Sequence, residues 1–206
     1  MMPLKRPIPS IDCDIEFKAG ISGGNRDEYS NRRRGATADR WYTSASGGTA
    51  LATATLTNNV LYAMPFFVGK NSVLDRIGIN ITTLQAASAA RLGIYGDDGN
   101  NYPGALVLDA GTVPCTGTGV QTITISKYLK AGLYWLVIVT NVNSIAIRGL
   151  AIAGAAPVLG LDNTLGTAPG LGWSVAFTYA SLPTPYPATT TVLIAAPLPA
   201  VFVRIS

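Results

Sequence analysis

From about residue 50 onward, apolar and polar positions alternate with a period of two, and turn residues separate the short runs. Ile77, Ile79 and Ile81 alternate with Gly78, Asn80 and Thr82. That spacing puts three isoleucines on one face of a half-buried β-strand. Leu92 and Ile94 alternate in the same way with Arg91, Gly93 and Tyr95, and Ile123 and Ile125 with Thr122 and Thr124. Val201, Val203 and Ile205 alternate with Phe202, Arg204 and Ser206 at the end of the sequence. The run Leu133–Val139 is apolar on both faces, which predicts a central strand or one covered by a neighbour. Asp97-Asp98-Gly99-Asn100-Asn101, followed by Pro103-Gly104, predicts a loop, because Asp, Asn and Gly accept left-handed backbone. Gly117-Thr118-Gly119 and Lys130-Ala131-Gly132 punctuate the pattern likewise. Thr82–Ala90 reads as one helical turn or as strand and loop. About eight to ten short strands at roughly 8–12-residue spacing predict an all-β fold: an antiparallel β-sandwich, jelly-roll-like.

One stretch breaks the alternation. Gly149–Pro187 is rich in Gly, Ala, Pro and Leu, and Asp162 is its only charge. A long segment this apolar does not stay in water. It either packs over the sandwich or makes subunit contacts, and a cyclic homo-oligomer, with a trimer favoured, would hide such a surface.

Charge divides the chain. Residues 1–48 hold 14 of the 26 charged side chains, eight basic and six acidic. Pro3, Pro7 and Pro9 predict an extended start. The expected organisation is an extended N-terminal arm over residues 1–48 and a β-sandwich body over residues 49–206. A polar, proline-rich arm with little core of its own is most simply ordered by docking on a partner. Lys5, Arg6 and the cluster Arg32, Arg33 and Arg34 are its candidate docking cations. Acids at Asp27, Glu28 and Asp39 flank the cluster, so an acidic protein partner is expected rather than nucleic acid.

Composition narrows the chemistry. The 206 residues contain no histidine, which removes Ser-His-Asp and Cys-His nucleophile systems and His-ligated zinc. The two cysteines, Cys13 and Cys115, are too few for a metal site or a disulfide framework. The basic Met1–Pro9 stretch has no apolar segment after it, so no secretory signal is expected. The apolar run Gly132–Val139 falls far short of the ~20 residues that a helical membrane span needs.

Five elements between Tyr62 and Val139 resemble a known module. They stand at Pro65–Phe66, Asp75–Gly78, Arg91–Tyr95, Pro103–Thr112 and Ala131–Leu136. This pattern is similar to a β-sandwich module of tailed-bacteriophage and prophage virion structural proteins, of tail-fibre, head-fibre or decoration type. The resemblance implies a location in the virion, assembled in the host cytoplasm, with other virion proteins as partners of the arm. It covers about 80 of the 206 residues. It implies either a tail-fibre-like component that attaches to host surface glycan or a capsid decoration protein or head fibre with a structural role.

Neither role needs an enzyme, a cofactor or a metal, and no catalytic residue is expected. Five aspartates remain in the body: Asp75, Asp97, Asp98, Asp109 and Asp162. Asp97 and Asp98 are adjacent on a turn and point apart, and no spacing forces Asp97 and Asp109 together. The oxygen-rich Asp97–Asn101 loop suits calcium in donor type, but it lacks the bidentate Glu of an EF-hand. Asp75 and Arg76 fit pairing across neighbouring strands. Glycan recognition combines aromatic faces with amide and carboxylate hydrogen bonds. Tyr95, Asp97, Asn100 and Tyr102 supply that mixture around one loop, and Trp173 is a second candidate.

Overall fold

A computed structural model describes residues 40–44, 51–151, 158–160, 170–188, 192–193 and 197–206. Among these residues every regular element is a strand. Seven lie in one sheet, here sheet A: β1 Trp41–Tyr42, β2 Leu51–Leu56, β4 Ser72–Thr83, β7 Gly119–Leu129, β9 Ile145–Leu150, β12 Leu198–Pro199 and β13 Phe202–Ile205. Six form sheet B: β3 Val60–Val68, β5 Ala89–Asp97, β6 Pro103–Pro114, β8 Gly132–Thr140, β10 Trp173–Ala176 and β11 Val192–Leu193.

All pairings are antiparallel, and sheet B runs β11-β10-β3-β8-β5-β6. In sheet A, β4 pairs along its length with β7. On its other side β4 pairs first with β13 and then, at Ile81 and Thr83, with β9. β9 in turn pairs with β2 and, at Gly149–Leu150, with β12. The chain's end therefore wedges between β4 and β9. The links β3 to β4, β4 to β5, β6 to β7, β7 to β8 and β8 to β9 each cross from one sheet to the other. The two sheets pack face to face as an antiparallel β-sandwich.

The period-two residues make the core. Leu74, Ile77, Ile79 and Ile81 of β4 are buried against Leu92 and Ile94 of β5 and Leu136 and Ile138 of β8, in one cluster with Val201 and Val203. Burial of this apolar surface is the main favourable term for such a fold. Cys115 joins the cluster, and burial pushes its thiol up to about 11. Between β4 and β5 the chain turns without a helix: β4 ends at Thr83 and β5 starts at Ala89. Sheet A also starts ahead of Thr49, because Trp41–Tyr42 pairs with β13. Most of residues 1–48, including Cys13, Lys5, Arg6, Arg32, Arg33 and Arg34, lie outside the described residues, as does Asp162.

A second apolar layer covers the outer face of sheet B. Leu61, Ala63, Tyr95, Trp135, Val137 and Val139 point away from the main core, and Leu182 and Tyr186 bury against them. This places residues 177–188, the end of the Gly- and Pro-rich stretch, over the sandwich as a strap. β8 is therefore apolar on both faces for a visible reason: it is central in sheet B and covered on each side.

Candidate functional site

The strap is pinned by hydrogen bonds to β3, β5 and β6 and to the loop ahead of β6. Tyr186 N donates to Gly104 O at 2.9 Å, and Tyr186 Oη donates to Leu61 O at 3.0 Å. Tyr95 Oη donates to Pro183 O at 2.5 Å and Tyr102 Oη to Pro187 O at 2.8 Å. Leu182 N donates to the Asp109 carboxylate at 3.1 Å. That carboxylate also receives Arg91 Nε at 2.9 Å, Arg91 Nη2 at 2.7 Å and Gly111 N at 3.1 Å. Burial alone would raise the Asp109 carboxyl, but the bonds from Arg91, Leu182 and Gly111 outweigh it and hold it below the usual range.

Four rings run from the interior of this layer to its rim. Tyr95 meets Tyr186 edge-on at 5.4 Å, Tyr186 meets Tyr102 at 5.8 Å, and Tyr102 meets Trp173 at 5.1 Å. Contacts of this geometry are worth about 0.5–1.5 kcal/mol each beyond the area buried. At the rim, Trp173 Nε1 donates to Asn101 O at 2.9 Å, across 72 residues of sequence. The Asp97–Tyr102 loop closes on itself: Asp98 N donates to Tyr102 O at 2.9 Å, Gly99 N to Asp97 Oδ2 at 2.9 Å and Asn100 N to Asp98 Oδ1 at 2.7 Å. Gly99 and Asn101 sit at φ of 97° and 59°, the left-handed backbone that Gly and Asn accept most readily.

The five candidate glycan residues separate by environment. Tyr95 is fully buried, so no sugar can reach its ring; its place is in the packed layer, and burial raises its phenol. The reason is the strap: alternation correctly turns Tyr95 away from the main core, but that outer face is covered. Asp97 holds Trp135 Nε1 at 3.0 Å as well as Gly99 N, so it fixes the loop to the sheet. Asn100 is exposed, while Tyr102 and Trp173 are half-buried, each with part of its surface open. The loop and Trp173, read from sequence as separate candidates, form one rim together with exposed Asp98 and Asn101.

Among the described residues, Asp75, Asp97 and Asp109 have separate partners. Asp109 is held by Arg91, Asp97 by Trp135, and Asp75 by Arg204 on β13 rather than by its neighbour Arg76. The hydrogen bond from Arg204 is the main reason the Asp75 carboxyl lies below its ordinary value. Among the described residues no three His, Cys, Asp or Glu side chains gather where they could hold a metal ion. No helix among them is long and apolar enough to cross a membrane. Sequence reasoning missed Tyr186 as the hub of the ring ladder; the only signal was the apolar character of Leu182–Pro187.

The chain matches no protein-family model, and no curated protein matches it significantly.

Proposed function

We propose that the protein is a structural component of a tailed-bacteriophage or prophage virion. In this reading it is tail-fibre-like: its N-terminal arm docks on other virion proteins, and the body touches a host surface glycan without catalysing a reaction. The observation that carries the glycan half is the contact between Trp173 and the Asp98–Tyr102 loop. It sets two aromatic rings beside exposed Asn100, Asn101 and Asp98 on a rigid support, the mixture that sugar C–H faces and hydroxyls require. The resemblance of the five elements between Pro65 and Leu136 supports the virion half.

The test is binding of the purified protein to a glycan array and to host surface polysaccharide. Trp173→Ala and Asn100→Ala should each weaken binding by about tenfold, a loss of ~1.4 kcal/mol. Asn100 is exposed, so its variant should melt at the native temperature and separate recognition from folding. Absence of glycan binding, or variants that bind as tightly as the native protein, would contradict the reading.

A purely structural role, as a capsid decoration protein or head fibre, is the second reading. The open apolar face of sheet A favours it: Trp41, Leu51 and Val120 are 40%, 60% and 66% exposed. Mass spectrometry of separated heads and tails distinguishes the two, since a tail fibre follows the tails and a decoration protein the heads.

A further inference from the structure

The two outer faces of the sandwich are treated differently. That of sheet B is covered by the strap over Leu61, Ala63, Tyr95, Trp135 and Val137. Of seven exposed large apolar or aromatic side chains among the described residues, five belong to strands of sheet A: Trp41, Leu51, Val73, Val120 and Tyr128. Trp41, Leu51, Val120 and Phe202 line a groove of about 190 Å³ across this sheet. A groove of that size admits a few apolar side chains of a docked segment. Arg148 is the only charged residue of its lining, is exposed, and forms no ion pair among the described residues.

The sequence contains one segment that complements this surface in both pattern and charge. Ile11, Cys13, Ile15 and Phe17 alternate with Asp12, Asp14 and Glu16. Read as a strand, residues 11–17 would have one apolar face and one acidic face. They carry three negative charges, whereas the chain from residue 40 onward has eight basic and five acidic residues, a net +3.

We propose that the groove on sheet A receives residues 11–17 of a second copy of this chain, with Ile11, Ile15 and Phe17 against Trp41, Leu51, Val120 and Phe202, and with the acidic face within reach of Arg148. Segment and groove are different surfaces, so the contact either is exchanged reciprocally in a twofold pair or repeats head to tail and closes into a ring when the rotation allows. The proposal is independent of the glycan rim, which lies on the other sheet.

Cys13 shares the apolar register of the segment and provides the test. One chain carries Leu51→Cys together with Cys13→Ser; it is mixed with the natural chain and oxidised mildly. The native thiol Cys115 is fully buried and stays out of the exchange. Only a second copy can then supply Cys13 to position 51. A disulfide-linked pair, with Cys13 of the natural chain joined to the thiol introduced by Leu51→Cys and recognised by peptide mapping, should form at least about tenfold faster than with the control Leu84→Cys plus Cys13→Ser. The reason is that docking raises the local thiol concentration. Leu84 is 45% exposed and is not part of the groove. Adding Arg148→Glu to the Leu51→Cys chain should slow the reaction by about threefold, as expected for loss and reversal of a surface ion pair. Leu51, Leu84 and Arg148 are exposed, and thermal melts verify that each chain is folded. Linkage no faster than the Leu84 control, or unchanged by Arg148→Glu, overturns the proposal.

Discussion

The Asp109 carboxylate gathers Arg91 Nε and Nη2, Leu182 N and Gly111 N, so its removal leaves four donors without their acceptor. Hydrogen bonds to a charged group are worth ~1.5–3 kcal/mol, and exposure of about a fifth of both Arg91 and Asp109 screens the pair toward the lower figure. Asp109→Ala should therefore cost about 2 kcal/mol in urea unfolding at pH 7. Because the folded carboxyl sits below its ordinary value, this stability is present above the unfolded value of about 4 and is lost as pH falls through the folded one. The gap between native protein and Asp109→Ala should shrink on acidification below about pH 4; a gap constant to pH 2 would contradict the assignment. Tyr186 separates ring from hydroxyl. Tyr186→Phe loses the bond to Leu61 O and should cost about 1 kcal/mol, whereas Tyr186→Ala empties a buried site and should cost about 3–5 kcal/mol. Equal losses in the two variants would mean that the ring does not pack as described.

At the scale of elements, the strands were legible because most are half-buried, and half-burial writes a period of two into the sequence. Ile77, Ile79 and Ile81 all face the core as their spacing requires. The strap was not legible as a strap. Residues 177–188 have no period, and their partners, Leu61, Tyr95, Gly104 and Asp109, are 73 to 125 residues away in the chain where bonds to them are measured. The same gap explains Tyr95, whose outward side is known from alternation while its cover is known only from the tertiary fold. One glycine shows how closely the strap sits: a Cβ at Gly93 would run into Leu182 Cδ1 and lie 2.7 Å from Leu108 O. Gly93→Ala should destabilise the protein by about 1–3 kcal/mol and speed proteolytic cutting of the strap. A variant as stable as the native protein, with an uncut strap, would contradict that packing.

At the largest scale, the described residues of the sandwich present a strap-covered outer face with an aromatic–amide rim on sheet B and an open apolar face on sheet A. The rim was half legible: both of its parts were marked by residue type, but their union depends on β10 pairing with β3, which no local pattern announces. The open face followed from no sequence signal, since Trp41, Leu51, Val120 and Phe202 come from four different strands. In the proposed function, attachment lies at the rim and assembly on the open face. Under the proposed virion role, a density map of the assembled particle tests both assignments at once. It should show the outer face of sheet A covered by neighbouring protein and the Asn100–Trp173 rim directed outward. A map with sheet A facing solvent and the rim buried would contradict the account.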